Sequence, residues 1–192
     1  MASSVTAAPE SPSAGPRGGT PLAVVAAEVA QVLEQVRPPD LDEAAAFLGE
    51  RGGRWFFTGQ GRSGLVARMA AMRVGHLGRA VHAVGEATAP AVGPGDHLVA
   101  LSASGRTPLT LHLAGVAVEQ GADLLVVTAD ATSPLAALAH RRLLLPTAAS
   151  TQFGGSLFEQ CALLVLDAVA LRLSGADPEV HAAMQARHAN LQ

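Results

Sequence analysis

The sequence predicts an α/β fold, a parallel sheet covered by helices on both faces, and three observations carry that expectation. Short apolar runs of strand-forming residues alternate with stretches of helical periodicity from Arg54 to Leu145. Two of these runs end in loops of small residues that lead directly into helical patterns. With 192 residues and 49% apolar content, the chain is long enough to bury one full core. This is the rhythm of right-handed βαβ units.

Taken in order, residues 1–20 are mostly Ala, Ser, Pro and Gly with only Glu10 and Arg17 charged, so a disordered tail is expected. One domain should then occupy residues 21–192. Thr20-Pro21 reads as a cap and first helical position, and Leu22, Val25, Val29, Val32, Leu33 and Val36 mark an apolar face up to Pro38. A second helix is expected from Leu41 to Glu50, capped by Asp40 and ended by Gly52-Gly53. Strand and helix then alternate: Arg54 to Thr58, helix 63–77, Ala80 to Val84, His97 to Ser102, helix 108–120, Asp123 to Thr128, a short helix after Ser133-Pro134, and Arg141 to Leu145. Five strands are countable. A long helix follows from Ser156 to Leu173, with Leu157, Cys161, Leu164, Ala168 and Leu171 on one stripe, and Asp177-Pro178 opens a final helix.

Composition removes several classes of function. A net charge of -3 and the lack of a basic run argue against nucleic acid as a partner. The chain contains no lysine, which excludes a Schiff-base mechanism of its own. Cys161 is the single cysteine and cannot form an internal disulfide, which points to a reducing compartment. No apolar run approaches the roughly 18 residues of a membrane span, and the N-terminus lacks a signal-peptide pattern. A cytoplasmic protein without membrane contact is expected.

Two loops offer chemistry. In Ser102-Ala103-Ser104-Gly105-Arg106-Thr107, three hydroxyls precede a helix opened by Pro108, and Gly105 lets a ligand approach the backbone. This suits a phosphate monoester, although Thr107 can equally be a plain N-cap. The other loop, Gly59 to Gly64, permits a tight turn, with Ser63 placed to cap a helix or meet a ligand hydroxyl. It also matches the dinucleotide pattern Gly-x-Gly-x-x-Gly, with Glu86 near the position of the ribose-binding acid. Spacing alone leaves that nucleotide reading open.

Ser156-Leu157-Phe158-Glu159 reads as a capping box, in which Glu159 serves only its own helix. The same carboxylate facing a sugar-phosphate pocket would suit proton abstraction beside a carbonyl. His76 continues the Leu65, Met69, Met72 stripe and reads as a buried or interface residue. His82, His97, His112, His140 and His181 lack metal-type spacing, while His188 lies in a terminal segment able to reach a neighbouring subunit.

Taken together, Gly-Arg-Ser-Gly-Leu-Val (61–66), Met72-Arg73, His76-Leu77-Gly78, Val84-Gly85-Glu86, Pro90, Gly95-Asp96, Ser102-x-Ser104-Gly105-x-Thr107, Gly155 to Gln160 and Arg187-His188-Ala189-Asn190-Leu191 resemble 6-phospho-3-hexuloisomerases. These are sugar isomerase (SIS) domain enzymes of the ribulose monophosphate route of formaldehyde fixation. The resemblance covers residue 22 to the end. It implies a flavodoxin-like three-layer α/β/α sandwich, a homotetramer with sites at subunit interfaces, and no cofactor or metal. The implied reaction converts 3-hexulose 6-phosphate to fructose 6-phosphate, with 3-hexulose-6-phosphate synthase as pathway partner. Residues Ser102, Ala103, Ser104, Gly105, Arg106 and Thr107 would bind phosphate, and Gly61, Arg62 and Ser63 would face the sugar. Glu159 would be the base, with His188, His76 or Glu86 shuttling hydroxyl protons.

The chain departs from the family pattern at four places. Arg106 stands where the family often has Glu, Gln60 replaces a small residue, Phe153-Gly154 replaces Pro-Met, and the last residue is Gln192 rather than Glu. Two alternatives follow: a related isomerase of arabinose 5-phosphate or a heptose phosphate, and a non-catalytic sugar-phosphate sensor. Sensors usually carry a DNA-binding helix-turn-helix, which the short leading segment does not resemble.

Overall fold

Successive residues of each central strand point into two different cores, which is why these strands read as continuous apolar runs. Trp55, Phe57, Val99, Leu101, Leu125 and Val127 enter one core, while Phe56, Leu98, Ala100, Leu124 and Val126 enter the other. The computed structural model describes residues 19–147 and 149–190. The expected tail therefore lies almost wholly outside the described residues, as do Leu191 and Gln192 of the terminal motif.

The elements are α1 (Pro21–Gln35), α2 (Pro38–Gly49), β1 (Trp55–Gly59), α3 (Gly61–His76), β2 (Val81–Ala83), β3 (His97–Leu101), α4 (Pro108–Glu119), β4 (Asp123–Thr128), α5 (Pro134–Leu138), β5 (Arg141–Leu144), α6 (Ser156–Ser174) and α7 (Pro178–Ala186). The five strands are all parallel in the order β2-β1-β3-β4-β5. Helices α1, α2, α3 and α6 supply the first core and α4 and α5 the second, giving three layers. The expected architecture is the observed one.

Helix starts follow local chemistry closely. The Thr20, Ser133 and Asp177 side chains accept backbone amides of Ala23, Ala136 and Glu179, and a proline follows each cap. Helix α2 differs from expectation: it begins at Pro38 rather than Leu41, and Arg37, not Asp40, is its N-cap. Two prolines fit the first helical positions, where an amide would have no partner anyway, so the helix starts there. Asp40 is drawn inside the first turn and pairs with Arg37.

The apolar stripe of α6 is also displaced. Leu164 and Leu171 are 44% and 58% exposed, and the buried face is Leu157, Phe158, Cys161, Ala162, Val165, Leu166 and Val169. The helix is apolar nearly all round, so periodicity alone did not say which side meets the sheet. Burial pushes the Cys161 thiol up to about 11. None of the described helices is long and apolar enough to cross a membrane.

Candidate active site

Strands β1 and β3 lie side by side, yet the chain leaves β1 toward β2 on one side and leaves β3 toward β4 on the other. Their connections therefore diverge, opening a crevice at the carboxyl ends where open α/β sheets bind ligands. Gly59 and Leu101 are register partners, so the two loops singled out in the sequence start as neighbours.

The loop from Ser102 to Thr107 is held from below. Ala103 O accepts the Ala129 amide at 3.0 Å and the Thr128 hydroxyl at 3.1 Å, and Gly105 O accepts the Leu135 amide at 3.2 Å. Gly105 has φ +59, and a Cβ there would lie 2.0 Å from Ser133 Oγ. Only glycine fits this position. Ser102 is buried, and its hydroxyl lies 3.0 Å from Thr107 Oγ1.

That contact takes the Thr107 side chain away from capping. Thr107 is the N-cap residue of α4 but makes no side-chain cap bond, so the helix start keeps free amides. The Ser104 and Thr107 amides have no partner among the described residues. The free amides and the positive end of α4 are donors of the kind that suits an anion. Arg106 is committed elsewhere: its guanidinium pairs with Asp130 at 3.0 Å. Asp130 sits below the usual carboxylate range, chiefly through the Thr132 hydroxyl and amide.

Across the crevice, α3 also begins without a side-chain cap, at Gln60. Ser63 is not its cap but lies in the first turn, with no hydrogen-bond partner for its hydroxyl among the described residues. A Cβ on Gly64 would lie 2.6 Å from Gly59 O, so these glycines let the helix press on the strand end. Gly61 takes φ +56. A cleft of about 270 Å³ on the β2 side of this loop is lined by Thr58, Gly59, Gln60, Gly61, Arg68 and Val84.

Glu159 does not form the expected capping box. Gly155 is the N-cap of α6, Ser156 is already helical, and its hydroxyl donates to Phe153 O. Freed from capping, the Glu159 carboxylate receives Arg62 Nε at 2.5 Å. Its side chain is 12% exposed and that of Arg62 63%. The base candidate and the first loop are therefore brought together by an ion pair.

Residues 50–171 match the family model for the SIS domain. The chain belongs to the SIS domain family. It is 38% identical over 179 residues to the 3-hexulose-6-phosphate isomerase of Mycobacterium gastri, covering 89% of each chain. It is 34% identical to the enzyme of that name from Methylomonas aminofaciens, covering 79% of this chain and 87% of the relative. A crystal structure from Methanococcus jannaschii, for which a function as 3-hexulose-6-phosphate isomerase was inferred, superposes with TM-score 0.78 at 27% identity, covering 89% and 98%.

Not every candidate of the SIS domain gathers at the crevice. His76 ends α3, about 20 Å along the helix from Arg62 by its rise per residue. It stacks on His188, ring centroids 5.2 Å apart, and Arg187 donates to His76 O at 3.0 Å. Burial holds the His76 imidazole below its ordinary value, helped by His188 and Arg73. Within one chain, then, the expected histidine shuttles do not meet Glu159. Glu86 is also apart: its carboxylate folds back to the Ala83 amide and lines a mostly apolar cleft with Phe56, Val92 and Val116.

One residue of this SIS domain escaped the sequence. Glu28 of α1 accepts the Ser150 hydroxyl at 2.7 Å, the Thr151 amide at 2.8 Å and hydroxyl at 2.7 Å, and the Gln152 amide group at 3.1 Å. Gln160 in turn donates to Gln152 at 2.9 Å. These bonds, the Thr151 amide first, hold the Glu28 carboxyl down at about 2. They fix the loop that enters α6 one turn before Glu159.

Proposed function

We propose that this SIS domain converts 3-hexulose 6-phosphate to fructose 6-phosphate. The observation that carries the reading is that the two loops leave neighbouring ends of β1 and β3, one running into an α4 start with no side-chain cap and the other into the α3 turn whose Arg62 pairs with Glu159. The relatives at 34–38% identity that bear this activity as their name support the same substrate.

Moving the carbonyl from C3 to C2 requires a proton taken from C2 and one returned to C3 through an enediol. A single carboxylate can serve both steps, which suits Glu159. The Ser102–Thr107 loop takes the phosphate, and that remote binding orients the carbon skeleton. Ser63 addresses a sugar hydroxyl. Arg62 holds the Glu159 carboxylate in place until substrate arrives.

The shuttle for the hydroxyl protons comes from a second copy of the chain, with His188 entering the neighbour's site in a homotetramer. Two features support assembly. His188 lies far from its own Glu159, and the packed helices α3 and α6 expose Leu65, Met69, Met72, Leu164 and Leu171 together. A 3-hexulose-6-phosphate synthase supplies the substrate by aldol addition, in the cytoplasm.

Turnover of 3-hexulose 6-phosphate, with arabinose 5-phosphate as comparator, tests the assignment. Fructose 6-phosphate should also raise the melting temperature while NAD leaves it unchanged. Preference for arabinose 5-phosphate, or stabilisation by NAD alone, overturns the reading.

A further inference from the structure

The opposite end of the strands holds a second constellation. His97 opens β3 and is the register partner of both Trp55 on β1 and Asp123 on β4. Its ring stacks on Trp55 at 4.1 Å and 13°, and Phe47 of α2 meets it edge-on at 5.3 Å. Those two contacts fix the imidazole plane. His97 is only 5% exposed, and its Nδ1 is buried without a hydrogen-bond partner. Buried polar atoms are nearly always satisfied, so this one asks for an explanation.

What faces Nδ1 is acidic. Glu50, the C-cap residue of α2, places Oε2 3.8 Å away, beyond hydrogen-bond range. The Asp123 carboxylate completes the group, and one ligand atom from each of Glu50, His97 and Asp123 lies within 4.8 Å of the others. Two donors on one tetrahedral zinc ion, each at 2.0–2.2 Å, stand about 3.4 Å apart. The Glu50–His97 separation is already close to that, and the two carboxylates, 49% and 55% exposed, are free to close the rest.

We propose that Glu50, His97 and Asp123 bind one divalent first-row transition ion of the zinc class. The imidazole nitrogen selects such ions over magnesium and calcium, which prefer all-oxygen sites. His140 stays outside the set: its Nδ1, 3.8 Å from Asp123, accepts the Leu124 amide at 2.9 Å. Bound there, the ion clips the end of α2 to the starts of β3 and β4. It lies a strand's length, about 16 Å, from the loops of the crevice, so it stabilises the fold and takes no part in the isomerisation.

Trp55 is the chain's single tryptophan and reports on the site directly. Chelator-treated full-length protein is titrated with zinc by calorimetry and with cobalt by Trp55 fluorescence. One equivalent of zinc should bind, cobalt should quench Trp55, and the melting temperature should rise by roughly 5–10 °C at a hundredfold excess over Kd. Glu50→Gln and Asp123→Asn, both at exposed side chains, should each weaken zinc at least tenfold with isomerase activity intact. Zinc binding unchanged in both variants, or no binding below about 1 mM, overturns the proposal.

Discussion

Gly105→Ala separates the anion loop from the rest of the fold. The new methyl meets two penalties. A left-handed φ of +59 costs an L-residue about 1–2 kcal/mol. The Cβ would also sit 2.0 Å from Ser133 Oγ and 2.5 Å from Ser133 Cβ. Ser133 cannot yield, because it is fully buried, donates to Asp130 O at 2.8 Å and accepts the Ala136 amide at 3.2 Å. Overpacking of this kind costs about 1–3 kcal/mol, for a sum of about 2–5 kcal/mol. The loop is the softer side and moves, so the hydroxyls and free amides lose their alignment. If about 2–3 kcal/mol appears as lost phosphate binding, KM rises roughly 30- to 150-fold. Gly121→Ala is the control: φ is +82, but the nearest atom is Pro94 Cγ at 3.4 Å, in the turn before β4 at the far end of the strands. Steady-state kinetics on 3-hexulose 6-phosphate with melting curves of both variants decide the matter. A KM for Gly105→Ala within threefold of wild type refutes the phosphate role of this loop.

Acid should unfold the latch at Glu28. Its folded value of about 2 lies below the ordinary 4.5, so the stability it gives is full above 4.5 and is lost as pH falls toward 2. Melting curves across that window should fall more steeply for wild type than for Glu28→Gln; equal slopes would show the latch to be inert. His76 should titrate below 6.5 by NMR, and His188→Ala should raise its midpoint by removing a neighbouring positive charge. An unchanged midpoint would mean that the two rings do not stack in solution. Leu65→Glu with Leu164→Glu should reduce the assembled mass seen in ultracentrifugation, and an unaltered mass would place the interface elsewhere.

The strands, their number and both loops were readable because each depends on local signals: apolar runs, glycine breaks and proline after a cap. Strand β4 is observed at the predicted limits, Asp123–Thr128. Long-range partners were not readable. Glu159 looked like a capping residue because Ser156 and Glu159 have the right spacing, and only the fold reveals that Gly155 takes the cap and Arg62 takes the carboxylate. Glu28 meets its loop from more than a hundred residues away, so no motif could announce it. The stripe on α6 was misplaced because an almost wholly apolar helix carries little phase information. Thr107 was located correctly as N-cap, yet its hydroxyl turns to Ser102, a choice made by tertiary geometry.

The measurement that bears most directly on the crevice is the rate of 3-hexulose 6-phosphate conversion, followed by NMR, for wild type and Glu159→Gln. Removing a general base costs about 10²–10⁴-fold, so the variant should lose at least a hundredfold in kcat while keeping its fold and its binding of fructose 6-phosphate. A variant that turns over within tenfold of wild type would contradict Glu159 as the base and the site built around it.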